Sequence, residues 1–144
     1  MRNKNLLTSK LYLFFTLIGM FILCTGNQFS RLPKQEKIKS VIVEKAGFDI
    51  LTFGLVTCDN FENSFKGQIE TIELNKEQLK IFKSIYENLK LAEIQEELDV
   101  RAKIFISKCG GKIDTVCVDI FGVTVNNVNY EQSRELEEFI TSLE

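Results

Sequence analysis

From Ile38 onward the chain alternates short apolar runs with polar breaks, and the spacing within each run predicts its element. Val41 to Glu44 and Phe48 to Thr57, rich in Val, Ile, Leu and Phe, read as two strands joined by a hairpin loop at Lys45-Ala46-Gly47. A polar break follows at Cys58-Asp59-Asn60, and Phe61 and Phe65, four residues apart, are placed to plug the core beside it. Gln68 to Leu74 alternates and reads as a strand. Asn75 then serves as an N-cap with Gln78 three residues on, a capping box, and Leu79, Phe82, Ile85, Tyr86 and Leu89 recur at helical spacing, which predicts a helix over 76–90.

The second half holds a hairpin whose register the apolar pattern selects. With Cys109-Gly110-Gly111 as a three-residue loop, Lys108 faces Lys112, and Ile104, Ala102 and Val100 face Val116, Val118 and Ile120 on one side of the ribbon. The other side then pairs Arg101 with Asp119 and Lys103 with Cys117. A two-residue loop would instead set Arg101 and Lys103 among the apolar side chains. Val123 to Val125 continues as a strand, Asn126-Asn127 turns, and Val128 to Tyr130 returns. Ser133 caps a closing helix with Leu136, Phe139, Ile140 and Leu143 in one stripe. Strands, helix, strands, helix, without regular alternation, predict an α+β domain: a largely antiparallel sheet with two helices packed on it.

The N-terminal pattern is different in kind. Met1 to Lys10 carries three positive charges and no negative one, and Leu11 to Cys24 carries no charge over 14 residues. This is a basic region followed by an apolar one, and as a helix the apolar run spans about 21 Å against the roughly 30 Å of a bilayer core. Cys24 and Gly26 stand at −3 and −1 of a signal-peptidase cut after Gly26. The stretch Phe21-Ile22-Leu23-Cys24 resembles a lipobox, the motif of bacterial lipoproteins, although the residue before the cysteine is usually small and here is Leu23. The resemblance implies that Cys24 is lipidated; a cleaved secretory leader and an uncleaved anchor are the alternatives. The organisation is thus a leader or anchor over 1–26, a polar tether over 27–37 containing Pro33, and a single domain over 38–144. A leader ending in cysteine, Cys-Asp-Asn-Phe, a mid-chain helix and a late Cys-bearing hairpin resemble small exported bacterial proteins of lipoprotein type. That resemblance implies a compartment and no activity.

Charge and composition narrow the functions. Of 18 basic residues, Arg2, Lys4 and Lys10 lie in the leader, while all 20 acidic ones lie beyond it, leaving the body with an acidic excess of five. Nucleic acid is a poor partner for it. The expected partners are a membrane, through the N-terminal segment, and a protein. Histidine is absent, so neither a Ser-His-Asp nor a Cys-His site can be built. Gly110-Gly111-Lys112 lacks the upstream glycine and the hydroxyl residue of a phosphate loop. No cofactor is expected.

Cys58, Cys109 and Cys117 contain no C-x-x-C spacing, so no metal is expected. In an oxidising compartment a disulfide is the first expectation. The hairpin register sets Cys117 opposite Lys103, too far from Cys109 at the tip, which leaves Cys58–Cys117 as the expected bridge and Cys109 as a free thiol beside Lys108 and Lys112. Asp59, Asn60, Glu62 and Asn63 offer oxygens for calcium without EF-hand spacing and read as a solvated turn. Glu93, Glu96, Glu97 and Asp99 read as a solvated connection, with a cationic partner as the sharper reading. The leading function is a non-catalytic interaction domain of the bacterial envelope. The alternatives are an exported inhibitor or immunity-type protein, and a thiol-dependent enzyme using Cys109.

Overall fold

Alternation in the first apolar run places the sheet. In β1 (Ile38–Lys45), Val41 and Val43 are fully buried while Ile42 and Glu44 turn to the opposite face, the two-residue period of a strand covered on both sides to different degrees. The structure, a computed structural model, describes residues 36–94 and 97–144. The leader over 1–26, Cys24 and most of the tether lie outside the described residues. Both edges of β1 are occupied, by β2 (Glu70–Glu73), with Ile72 opposite Val43, and by β3 (Ala102–Lys108), with Ile104 opposite Val43. Hairpins then add β4 (Ile113–Val118), β5 (Gly122–Val125) and β6 (Val128–Glu131), giving an antiparallel sheet in the order β2-β1-β3-β4-β5-β6.

Among the described residues three helices accompany the sheet, α1 (Phe61–Ser64), α2 (Lys76–Glu87) and α3 (Arg134–Thr141), so the α+β expectation holds with one short helix more than the sequence predicts. The capping box of α2 is formed, since Asn75 Oδ1 accepts from the N–H of Glu77 and Gln78 and Gln78 Oε1 accepts from Asn75 N–H at 2.9 Å. Ser133 Oγ caps α3 by accepting from Leu136 N–H at 3.3 Å. Phe82 of α2 meets Phe139 of α3 with ring centroids 6.2 Å apart, and both helices close over Val41, Val43, Ile104, Val116 and Val123. The opposite face carries a second apolar cluster, in which Phe61 and Phe65 of the α1 segment, both fully buried, pack with Val56, Leu98, Val100 and Cys117.

The expected hairpin register is present: Ala102, Lys103 and Ile104 face Val118, Cys117 and Val116, and Lys108 N–H donates to Lys112 O at 2.9 Å. Three sequence expectations are corrected. Phe48 to Thr57 is not a strand and Lys45-Ala46-Gly47 is not a hairpin loop, because the edge of β1 that such a strand needs is taken by β2 and β3. Val100 does not pair with Ile120, nor does Arg101 form its ion pair with Asp119. The ladder stops at Ala102, and Val100 N–H crosses to Val56 O at 2.7 Å, carrying Val100 into the second cluster. Helix α2 ends at Glu87 rather than at 90, since the following chain runs beside β6, where Glu131 N–H meets Lys90 O at 2.8 Å and Ala92 N–H meets Asn129 O at 3.1 Å.

One end of the sheet is fixed by a buried carboxylate. Asn126 and Asn127 hold φ of 50° and 66°, the left-handed pair that a two-residue hairpin turn demands and that asparagine tolerates. Asn126 Nδ2 donates to Asp114 Oδ1 at 2.9 Å, Tyr86 OH donates to Asp114 Oδ2 at 3.1 Å, and Lys108 forms an ion pair with the same carboxylate. Burial alone would raise the Asp114 pKa, but the hydrogen bonds from Lys108, Asn126 and Tyr86 outweigh it and hold the carboxyl below its ordinary range. Burial and the neighbouring carboxylate push the Tyr86 hydroxyl upward. Asp114 is therefore expected to stabilise the fold fully above about pH 4, with that contribution lost as pH falls through its depressed folded-state pKa. Asp114→Ala should cost about 3 kcal/mol in urea unfolding at neutral pH, and Asp114→Asn should flatten the acid limb of the stability curve.

Candidate functional site

At the other end of the sheet, the chain leaving β1 crosses to the second apolar cluster through an uncharged loop, Ile50 to Val56. Leu51 is 95% exposed, Phe53 entirely so, and Leu55 44%. Exposed apolar side chains on a slack loop would carry little meaning, but this loop is held. Arg101, only 6% exposed, grips Asp99 through two parallel hydrogen bonds of 2.8 Å and donates to Thr52 Oγ1 at 3.3 Å. Asp99 Oδ1 in turn accepts from Val56 N–H at 2.9 Å, so one carboxylate and one guanidinium fasten the loop at two points. The Arg101 hydrogen bonds come first among the causes that hold the Asp99 carboxyl below its usual pKa. The guanidinium also lies over the Phe65 ring, 5.4 Å from its centroid.

The clasp extends to a neighbouring turn. Asp99 N–H donates to Asp119 Oδ2 at 3.2 Å, while Asp119 Oδ1 accepts from Ile120 N–H at 2.6 Å and Asp119 N–H from the turn closes on Gly122 O at 3.0 Å. Phe121, 71% exposed, stands at that turn, beside a shallow cleft of about 280 Å³ lined by Ile94, Leu98 and Tyr130. A second depression of about 370 Å³ lies along the loop itself, between Leu51, Phe53, Val56 and Phe65. Exposed apolar tips over a buried, charge-locked base form a surface suited to contact, and among the described residues no group of three or more His, Cys, Asp and Glu side chains could hold a metal ion.

Cys58 ends the loop in a disulfide with Cys117 of β4, across a Cα separation of 5.8 Å. Lys103, next to Cys117 in the sheet, donates to Cys58 O at 3.0 Å and to Glu62 Oε1 at 2.6 Å, bracing the same junction. Of the other candidates, Cys109 is free and exposed at the far tip of the β3–β4 hairpin, where its N–H donates to Lys37 O at 2.9 Å. The oxygen cluster at 59–63 is divided in use: Asn60 Oδ1 accepts from Thr57 N–H at 2.7 Å and Glu62 turns to Lys103. Within the acidic run, Glu93 and Glu97 are exposed and Asp99 keeps part of its carboxylate in solvent while pairing with the buried Arg101. The sequence reading missed the Arg101–Asp99 clasp and the exposed tips of the loop. The signal within reach was Gly54 inside a run otherwise composed like a strand, with Gly47 just before it.

The chain matches no family model, no curated protein and no solved structure. The disulfide spans 59 residues, so the chain-entropy account gives it about 4 kcal/mol. Reduction, or Cys58→Ser with Cys117→Ser, is expected to lower the unfolding free energy by that order in guanidinium titrations and to release the loop, raising amide exchange at Leu51 to Thr57 before exchange in β1 changes.

Proposed function

We propose that this chain is an exported, membrane-tethered interaction domain of the bacterial envelope, non-catalytic, with the Ile50 to Val56 loop as its contact element. The observation that carries the reading is the combination of Leu51 and Phe53 in open water with a loop base locked by Arg101 and Asp99. Holding apolar side chains rigidly exposed costs solvation and offers the fold no packing in return, whereas a preorganised loop lowers the entropy lost on binding. The bridge between Cys58 and Cys117 supports an oxidising compartment, and the basic and apolar N-terminal pattern with Cys24 supports a lipid tether. The alternative reading, an exported inhibitor or immunity-type protein, is favoured by the same braced loop, since inhibitors gain affinity from preorganised contact segments.

Full-length protein labelled in cells with palmitate, then solubilised and recovered by affinity tag from envelope extract, tests both parts. The expected result is label in the wild type and not in Cys24→Ser, together with a reproducible protein partner. An unlabelled chain with its N-terminus at Asn27 would remove the tether, and recovery of no partner would remove the interaction function. A single enzyme or toxin that loses activity on addition of the purified protein would select the inhibitor reading.

A further inference from the structure

The chain enters the sheet among lysines that the fold brings together. Ile38, the first residue of β1, pairs with Lys108 at the end of β3, and Lys37 O accepts from Cys109 N–H at 2.9 Å, so the tip of the β3–β4 hairpin lies against the point of entry. Lys112 O closes that tip on Lys108 N–H, and Lys39 stands where the β1 register shifts between Ile38 and Ser40. Lys37, Lys39 and Lys112 are all exposed, whereas Lys108 turns inward to the buried Asp114. One exposed acid accompanies them: Glu36 Oε1 lies 3.6 Å from where a Cβ on Gly110 would stand. Apolar surface adjoins the cations. Ile113, 58% exposed, faces Ser107 beside Lys112, and Val128, 45% exposed, follows the Asn126–Asn127 turn, which is held to β4 by Asn126 N–H on Thr115 O at 2.9 Å.

This end of the sheet is opposite in sign to the rest of the domain. Beyond residue 26 the chain carries an acidic excess of five, yet three exposed lysines here face the single exposed Glu36. In front of an anionic lipid surface, such a charge distribution turns the lysine end inward and the remainder outward. Lysine heads on long apolar stems beside an exposed isoleucine suit the headgroup layer, where ammonium meets phosphate and the branched side chain meets the acyl boundary. Chain order sets the same end nearest the N-terminal apolar run. Thirteen residues, 25–37, separate Cys24 from Ile38, at most about 50 Å of extended chain. The Ile50 to Val56 loop follows Lys45 at the other end of β1, about 25 Å further along the strand.

We propose that the end of the sheet bearing Lys37, Lys39, Lys112 and Ile113 rests on the anionic headgroups of the membrane that holds the N-terminal segment, so that the Ile50 to Val56 loop points away from the lipid. The inference rests on the tether proposed above and adds the face that meets the membrane. Full-length protein carrying the photoreactive residue p-benzoylphenylalanine at position 113, or at position 53 as the control, is reconstituted into vesicles of phosphatidylglycerol and phosphatidylethanolamine and irradiated. The expected lipid adduct forms from position 113 and not from 53, and its yield falls at least tenfold on phosphatidylcholine vesicles or in 500 mM salt. Lys37→Gln with Lys39→Gln and Lys112→Gln should lower the yield at least tenfold, since each lysine at the surface contributes about fivefold. Lys66→Gln with Lys90→Gln and Arg134→Gln, three exposed cations elsewhere and the same change in net charge, should leave it unchanged. Both triple variants should keep the wild-type thermal midpoint. Equal yields from positions 53 and 113, a yield indifferent to lipid charge, equal loss in the two triple variants, an adduct with a second copy of this chain, or no adduct from 113 overturns the proposal. Flotation of the wild type with the vesicles in 1 M salt reports the tether separately, because screening leaves apolar insertion intact. A chain that floats without an adduct from 113 keeps the tether and refutes this face, whereas a chain that does not float refutes the tether and this orientation with it.

Discussion

The three-residue turn at Cys109-Gly110-Gly111 fixes the parity of the whole sheet. Gly111 takes a φ of 79°, which a side chain would strain, and Lys108 N–H closes on Lys112 O, so β3 and β4 can align in one way. From that register Ala102, Ile104, Val116 and Val118 all face α2 and α3, while Lys103 and Cys117 face the Phe61 segment. A slip by one residue would bury Lys103 under the helices and point Cys117 away from Cys58. The helix side of the core, the second cluster and the disulfide thus depend on one backbone turn.

Two charged networks, one centred on the buried Asp114 and the other on the buried Arg101, stand at opposite ends of this frame and do similar work on different backbones. Asp114 gathers Lys108, Asn126 and Tyr86 and thereby joins the tips of two hairpins to α2. Asp99 and Arg101, with Asp119, join the Ile50 to Val56 loop to the Asp119–Gly122 turn. In each case a carboxylate accepts from groups that no ladder could satisfy, because turns and chain crossings leave backbone and side-chain donors inside the protein. Specificity of arrangement is the gain, since removal of one partner strands the other in a dry site.

What the sequence made legible was whatever local periodicity controls. The Asn75 and Gln78 capping box, the Ser133 cap, the stripe from Leu136 to Leu143 and the register of β3 on β4 each depend on residues a few positions apart, and the sequence reading found them. The pairing of Cys58 with Cys117 was reached by eliminating Cys109 from that register. Failure came where distant chain competes for the same hydrogen bonds. Phe48 to Thr57 has the composition of a strand, yet β1 already has β2 and β3 on its two edges, a fact fixed by residues 70–73 and 102–108. Arg101 likewise was expected opposite Asp119, and its pairing with Asp99 instead follows from Val100 crossing to Val56, a contact without local signature.

The order of the cysteines along the chain has a kinetic consequence. Cys109 precedes Cys117, so before the hairpin closes Cys58 has two competing partners, and the nearer in sequence is the wrong one. Thiol and disulfide exchange depends on access and does not itself recognise the native pair. Only closure of the β3–β4 hairpin separates the competitors, sending Cys109 to the tip and turning Cys117 inward to Cys58. Correct oxidation is therefore a product of folding here, and an oxidant faster than hairpin closure would trap the chain with its loop tied to the wrong end of the sheet.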